Sequence, residues 1–135
     1  FRRTFPFCCA CADHANPGWS LRRYGRYLKT KPELPSAFFA DNDIIAISCI
    51  RALKEFGYHI PKDVSFVGFD DMPTSYVISP KLTTINVPKE EFGCLAVNRL
   101  LERINNPSAP FLKVTVNTTL VVRNSVEELD PSVHL

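Results

Sequence analysis

Apolar and polar positions divide the chain into short runs and long periodic segments. Ala37-Phe38-Phe39-Ala40 is a short apolar run that stops at three polar residues, Asp41-Asn42-Asp43. A long apolar-rich segment follows to Phe56, and Gly57 ends it. After Pro61 a second apolar run, Val64 to Phe69, stops at Asp70 and Asp71. Two short runs flanking a helix-length segment predict a βαβ unit with parallel strands. The second run lacks clean alternation, which predicts a central strand buried on both faces. Gly68 within it leaves room for another backbone to approach. Met72 to Pro80 reads as a loop and Leu82 to Val87 as a short strand. Pro88 occupies the favoured first position of a helix, with Glu90 and Glu91 in the first turn. Phe92, Leu95, Ala96, Leu100 and Ile104 recur at helical spacing until Asn105-Asn106-Pro107. From Leu112 to Val122 the period becomes two, the pattern of a half-exposed or edge strand. Upstream, Leu21, Tyr24 and Leu28 share one face of a helix from Ser20 to Lys31 that Pro32 and Pro35 stop. Its other face carries Arg22, Arg23, Arg26, Lys29 and Lys31, as in a solvated amphipathic helix. That reading is favoured over the nucleic-acid surface that interleaved basic and aromatic residues can mark.

The fold class that follows is α/β, a parallel sheet flanked by helices. Ligands bind such sheets at the carboxyl ends of the strands, so Asn42, Asp43 and Asp70 form the expected working edge. Asn42 or Asp41 suits the N-cap of the following helix, with Asp43 near its positive end, so at least one of the three only caps. In that helix Ile44, Ile47, Ile50 and Leu53 form one apolar row, and Ile45, Cys49, Ala52 and Phe56 another. Together they exceed the ~100° stripe that one sheet contact needs. The helix is therefore either deeply buried or packed against both its sheet and a partner, with Ile47, Ile50 and Arg51 as the expected subunit contact. Asp70 and Asp71 invite a paired-carboxylate reading, but neighbours on a strand point to opposite faces. A single carboxylate at a strand end suits hydroxyl recognition, since it accepts two hydrogen bonds from adjacent sugar hydroxyls.

Composition narrows this picture only a little. The 135 residues, 45% hydrophobic and 22% charged, suffice for one domain with a core, and a net charge of +2 indicates no class of partner. No run approaches the ~18 apolar residues of a membrane span, and no basic-then-apolar signal peptide opens the chain. The chain begins without Met, so its true start is expected to lie elsewhere. Five cysteines make no disulfide frame; Cys49 and Cys94 sit singly in helical patterns and read as buried thiols of a reducing cytoplasm. Residues 1–19 have neither period and form an unassigned lead-in, while 127–135 is a polar tail. Cys8, Cys9, Cys11 and His14 lack the second ligand pair of a structural zinc site, so no metal is expected. His59 has no metal-spaced partner and reads as a surface residue. The glycines, at 18, 25, 57, 68 and 93, never fall as G-x-G, and there is no phosphate loop, nucleophile elbow or H-E-x-x-H. Neither a cofactor nor an enzymatic activity is expected.

Three segments carry a resemblance: PSAFFADNDIIAISCIRALKEFGYHIPKDVSFVGFDD, SPKLTTINVPKEEFGCLAVNRLLERI and TLVVRNSV. Their motifs are A-x-N-D opening a helix, P-x-D-V-S-x-V-G-F-D-D, P-x-L-T-T-I and L-V-x-R-x-S. In this order and spacing, from about Pro35 to Val126, the chain resembles the C-terminal part of lactose/galactose-repressor (LacI/GalR) transcription regulators. The resemblance implies an incomplete, periplasmic-binding-protein-like (type I) lobe. In that family two α/β lobes close on an effector, usually a sugar or purine, and a separate N-terminal helix-turn-helix reads operator DNA. It implies a cytoplasmic regulator with a sugar-like effector, a homodimer, no membrane, and operator DNA reached only through a helix-turn-helix absent from this chain.

Carried over by position, Asn42 and Asp70 match family effector contacts, with Asp43 beside them. Trp19 lies about where the family often has an aromatic that stacks on the effector. Val87 stands where many members carry Gln or Arg, which removes one polar contact. Residues 20–126 correspond to the C-terminal part of the effector domain, with 88–110 crossing towards an N-terminal lobe that has no counterpart here. The helix face of Phe92, Leu95, Leu100 and Ile104 would then lack its packing partner, a loss of roughly 1.5–3 kcal/mol per large side chain. The chain is accordingly expected to be a marginally stable fragment whose start is corrupted up to about Gly25. Two other readings share parts of the pattern. A solute-binding protein of a transporter has the same architecture but needs export, and an enzyme would use Asp70 and Asp71.

Overall fold

A computed structural model of the chain describes residues 26, 28, 29 and 33–128. The elements run β1 (Ala37–Phe39), α1 (Asp43–Glu55), β2 (Ser65–Phe69), α2 (Pro73–Val77), β3 (Thr83–Asn86), α3 (Lys89–Asn105) and β4 (Thr119–Val121). They build one four-stranded sheet in the order β1-β2-β3-β4. The first three strands are parallel, with Phe38 opposite Phe66 and Gly68 opposite Thr84, and β4 runs antiparallel to β3. The sheet is thus mixed, mainly parallel, with β4 at its edge as the period-two pattern implies.

Local chemistry sets the borders of α1. Asn42 has extended backbone (φ −155°, ψ 169°), and its Oδ1 accepts from the Ile45 amide at 2.9 Å. Asn42 is therefore the cap, in preference to Asp41, and it satisfies one of the amides that a helix start leaves without a partner. At the other end Gly57 takes a positive φ of 86°, the left-handed conformation that commonly closes a last turn. Ile45, Ala46, Cys49, Ile50, Ala52 and Leu53 are all buried against the sheet. Phe38 and Phe66 stack beneath them with ring centroids 5.2 Å apart, a pair worth about 0.5–1.5 kcal/mol beyond its buried area. Each of the helix's two apolar rows is only partly satisfied: Ile44 of the first and Phe56 of the second stay exposed, and Ile47 of the first is half-buried.

Ser125 ties the parallel strands together at their amino ends. Its hydroxyl donates to the Phe66 carbonyl (2.6 Å) and accepts from the Thr83 amide (2.8 Å), while its own carbonyl takes the Phe66 amide (2.7 Å). The side chain is completely buried.

The structure departs from the sequence pattern at several places. Residues 72–80 are not all loop, because Pro73 opens the five-residue helix α2. A segment that short cannot display a helical period. β2 is buried at Ser65, Phe66 and Gly68 but only half-buried at Val67 and Phe69, so one face is fully covered and the other is not. Pro88 is the N-cap of α3, one position before the expected first helical residue. Of the alternating stretch from Leu112, only Thr119–Val121 pairs with a strand; Leu112 and Val114 are exposed. Alternation supplies a face, but a strand also needs a neighbour to take its backbone hydrogen bonds.

No residue of α3 is buried, and Phe92, Leu95, Leu100 and Ile104 are 43–63% exposed. Cys49 is buried as expected, whereas Cys94 on α3 is exposed. The lead-in with its cysteines and His14, and most of the basic segment 20–31, lie outside the described residues. Of that segment Arg26 and Leu28 are helical, and Leu28 joins the core at 2% exposure. Among the described residues no helix is long and apolar enough to cross a membrane.

Candidate functional site

The register brings the polar stops of β1 and β2 to one level. Phe39 pairs with Val67, and Asn42 and Asp70 each lie three residues further on, at the carboxyl edge of the sheet. Asn42 is half-buried and caps α1 with its side-chain oxygen. Asp70 is half-buried, and among the described residues its carboxylate has no hydrogen-bonding partner. Its backbone is held on both sides: the amide donates to the Ile85 carbonyl (2.9 Å), and the Lys89 ammonium donates to the Asp70 carbonyl.

Asp43 sits differently. It is completely buried, and both carboxylate oxygens are engaged inside the protein. Oδ1 accepts from the Thr84 hydroxyl (2.5 Å) and Oδ2 from the Met72 amide (2.7 Å). This explains Gly68. A Cβ there would collide with Asp43 Oδ1 and stand 2.9 Å from Leu82 Cδ2. The close approach that the glycine permits is thus of a side chain, not of the second backbone its position in a strand suggested. Asp43 joins the start of α1 to β3 and to the chain leaving β2.

Asp70 and Asp71 both have positive φ, 101° and 48°. β2 has ended at Phe69, so the opposite-face alternation of a strand no longer governs them. Non-glycine residues in this region cost of order 1–3 kcal/mol each unless their surroundings hold them. Asp71 is held firmly. Its Oδ1 accepts from Arg123 Nη2 (2.6 Å) and its Oδ2 from Asn86 Nδ2 (3.0 Å). Arg123 also donates to the Leu82 carbonyl (2.9 Å) and to the Ser75 hydroxyl (2.8 Å), and the ion pair is largely shielded from solvent. Burial works against the ionised form of Asp71. The hydrogen bonds from Arg123 and Asn86, with the Arg123 charge and Ser75, outweigh it and hold the carboxyl below the usual carboxylate range.

A second surface lies on the outer side of α1. A shallow open groove of about 510 Å³ is lined by Ile47, Ile50, Arg51, Lys54, Glu55, Ile78 and Ser79. Ile50 is 0% exposed and belongs to the core, so of Ile47, Ile50 and Arg51 only Ile47 and Arg51 reach the surface, beside Ile78. The Lys54 ammonium donates to the Ser79 carbonyl and fixes one wall. Trp19 lies outside the described residues. Among them no cluster of His, Cys, Asp or Glu could hold a metal ion.

Thr84, Asn86, Arg123 and Ser125 are the residues that sequence reasoning passed over. Their signal was present in the P-x-L-T-T-I and L-V-x-R-x-S motifs, which hold Thr84, Arg123 and Ser125.

A family model for the periplasmic binding protein-like domain matches residues 8–126, which reaches further upstream than the resemblance from Pro35. The ribose operon repressor of Haemophilus influenzae is 39% identical over 123 residues, covering 84% of this chain and 37% of that protein. A LacI-family transcriptional regulator from Enterococcus faecium, solved with bound ribose, has a TM-score of 0.73 and 29% identity, over 86% of this chain and 42% of the other. The transcriptional regulator CelR in its cellobiose complex gives a TM-score of 0.74 at 27% identity, over 82% and 34%. The chain spans about a third of the length of the curated relatives it matches.

Proposed function

Because the chain belongs to the periplasmic binding protein-like family, in its LacI/GalR branch of transcription regulators, we propose that it is the effector-binding part of a sugar-responsive repressor. The observation that carries this reading is the Asp70 carboxylate. It lies at the carboxyl edge of a parallel sheet, without a partner among the described residues, on backbone fixed by Ile85 and Lys89. An ionised carboxylate so placed accepts from two neighbouring hydroxyls. Asn42, three residues beyond β1 at the start of α1, stands at the same level and is the second contact. Asp43 is buried and supports this edge from behind. Trp19 completes the set as the stacking aromatic.

The neighbours solved with ribose and with cellobiose support a hydroxylated effector. The names of the relatives favour a repressor over a transport receptor or an enzyme. Asp71 adds to the case against catalysis by paired carboxylates, since both its oxygens are already bonded. In the whole protein, effector held between two lobes shifts their closure, and a helix-turn-helix outside this chain carries the change to operator DNA. The groove at Ile47, Arg51 and Ile78 serves as the homodimer contact, with Ile50 as its floor.

Calorimetric titration with ribose, cellobiose and lactose tests the site. At least one sugar binds, and Asp70→Asn weakens that binding at least tenfold; equal affinity in the variant contradicts the assignment. Sedimentation equilibrium tests the groove: Ile47→Asp raises the dimer dissociation constant at least tenfold, and an unchanged constant places the contact elsewhere.

A further inference from the structure

We infer that Asp71 is a positioning residue for ligand binding, fixing the turn at residues 70–71 so that the Asp70 carboxylate is presented at the sheet edge. The inference rests on the reading of Asp70 given above. Two consecutive non-glycine residues with positive φ do not hold themselves in place. The turn is gripped from three parts of the chain. Asn86, at the end of β3, donates to Asp71 Oδ2, and Arg123, beyond β4, donates to Asp71 Oδ1. Lys89, the first residue of α3, donates to the Asp70 carbonyl. Arg123 is in turn immobilised by the Leu82 carbonyl and the Ser75 hydroxyl.

Asp71 therefore has no carboxylate oxygen directed at a ligand, yet the conformation of Asp70 depends on it. The grip also straddles residues 87–88, where the chain passes from β3 into α3. Whatever tightens the turn around a bound ligand also pulls on the start of α3. Asp70 supplies the contact, and Asp71 supplies its aim.

The test uses Asp71→Asn and Asp70→Asn in the protein as its gene encodes it, with D-ribose as the probe. Amide hydrogen exchange and calorimetry are both run at a temperature where circular dichroism reports full folding. In Asp71→Asn, exchange at Asp70 accelerates at least tenfold while exchange at Phe66 and Leu53 is unchanged, and ribose affinity falls at least tenfold. In Asp70→Asn, ribose binding is lost with exchange at Phe66 and Leu53 unaltered. A merely structural Asp71 would lower the melting temperature but leave the affinity of folded protein as it was. Unchanged exchange at Asp70, or unchanged ribose affinity in Asp71→Asn while Asp70→Asn has lost binding, overturns the inference. If the unaltered protein takes no ribose, the reading of Asp70 as a ribose contact fails separately. Exchange then decides alone: acceleration confined to the turn supports the grip, and uniform or absent acceleration overturns it.

Discussion

Single residues at the carboxyl edge divide into those that face outward and those that hold them. Asp43 has the sequence position of a ligand contact but is wholly buried, with Thr84 and Met72 as its partners. Gly68 exists to make space for that carboxylate. The two are therefore coupled. Gly68→Ala costs about 1–3 kcal/mol through overpacking. Asp43→Ala leaves the Met72 amide without a partner and the Thr84 hydroxyl without an acceptor for its proton, and costs about 3 kcal/mol. Because Asp43 Oδ1 is what the new methyl would strike, the double variant is more stable than the sum of the two losses predicts. Urea melts of the four proteins measure this directly. Additive losses would mean that Gly68 is required for another reason.

At the scale of elements, βαβ order, parallel pairing and the Asn42–Gly57 limits of α1 were legible because each rests on local chemistry: apolar period, cap and left-handed close. The apolar faces of α1 show the limit of such reading. Period alone could not decide which members of its two apolar rows would be covered; the core took Ile50 and Leu53 of one row and Ile45, Cys49 and Ala52 of the other, and left Ile44 and Phe56 exposed. Stretch 112–118 failed for a related reason, since alternation does not reveal whether a pairing strand exists. Nor could Arg123 and Ser125 be assigned from spacing, because their partners lie 52 and 59 residues away in sequence. Ser125→Ala leaves the Phe66 carbonyl and Thr83 amide each short of a bond, at a cost of about 1–3 kcal/mol. On α3 the expectation is the reverse. Ile104 is 63% exposed, so Ile104→Ser in the 135-residue chain changes stability by less than about 0.5 kcal/mol, against about 2–5 kcal/mol for Leu53→Ala in the core. Denaturant melts separate these cases, and a large loss at Ile104 would mean that α3 is covered in solution.

For the whole molecule, acid stability follows from Asp71. Its carboxyl lies below the usual carboxylate value in the folded state, so the ionised form is favoured by folding. That stabilisation is fully present above about pH 4, the unfolded value, and is lost as pH falls through the lower folded value. Melting temperature accordingly drops in that acid range, and Asp71→Asn flattens the drop; an equally steep fall in the variant would assign it to other groups. The larger claim is that one edge of the sheet receives a hydroxylated ligand while the outer side of α1 receives a second copy. Both surfaces share α1, whose first residue anchors the edge through Asp43 and whose later turns form the groove. The most direct measurement is a ¹H–¹⁵N spectrum of the protein titrated with the sugar that binds it. Shifts concentrated at residues 41–43 and 70–72 are the predicted result. Shifts centred instead on Ile47, Arg51 and Ile78, with residues 70–72 unmoved, would contradict the account.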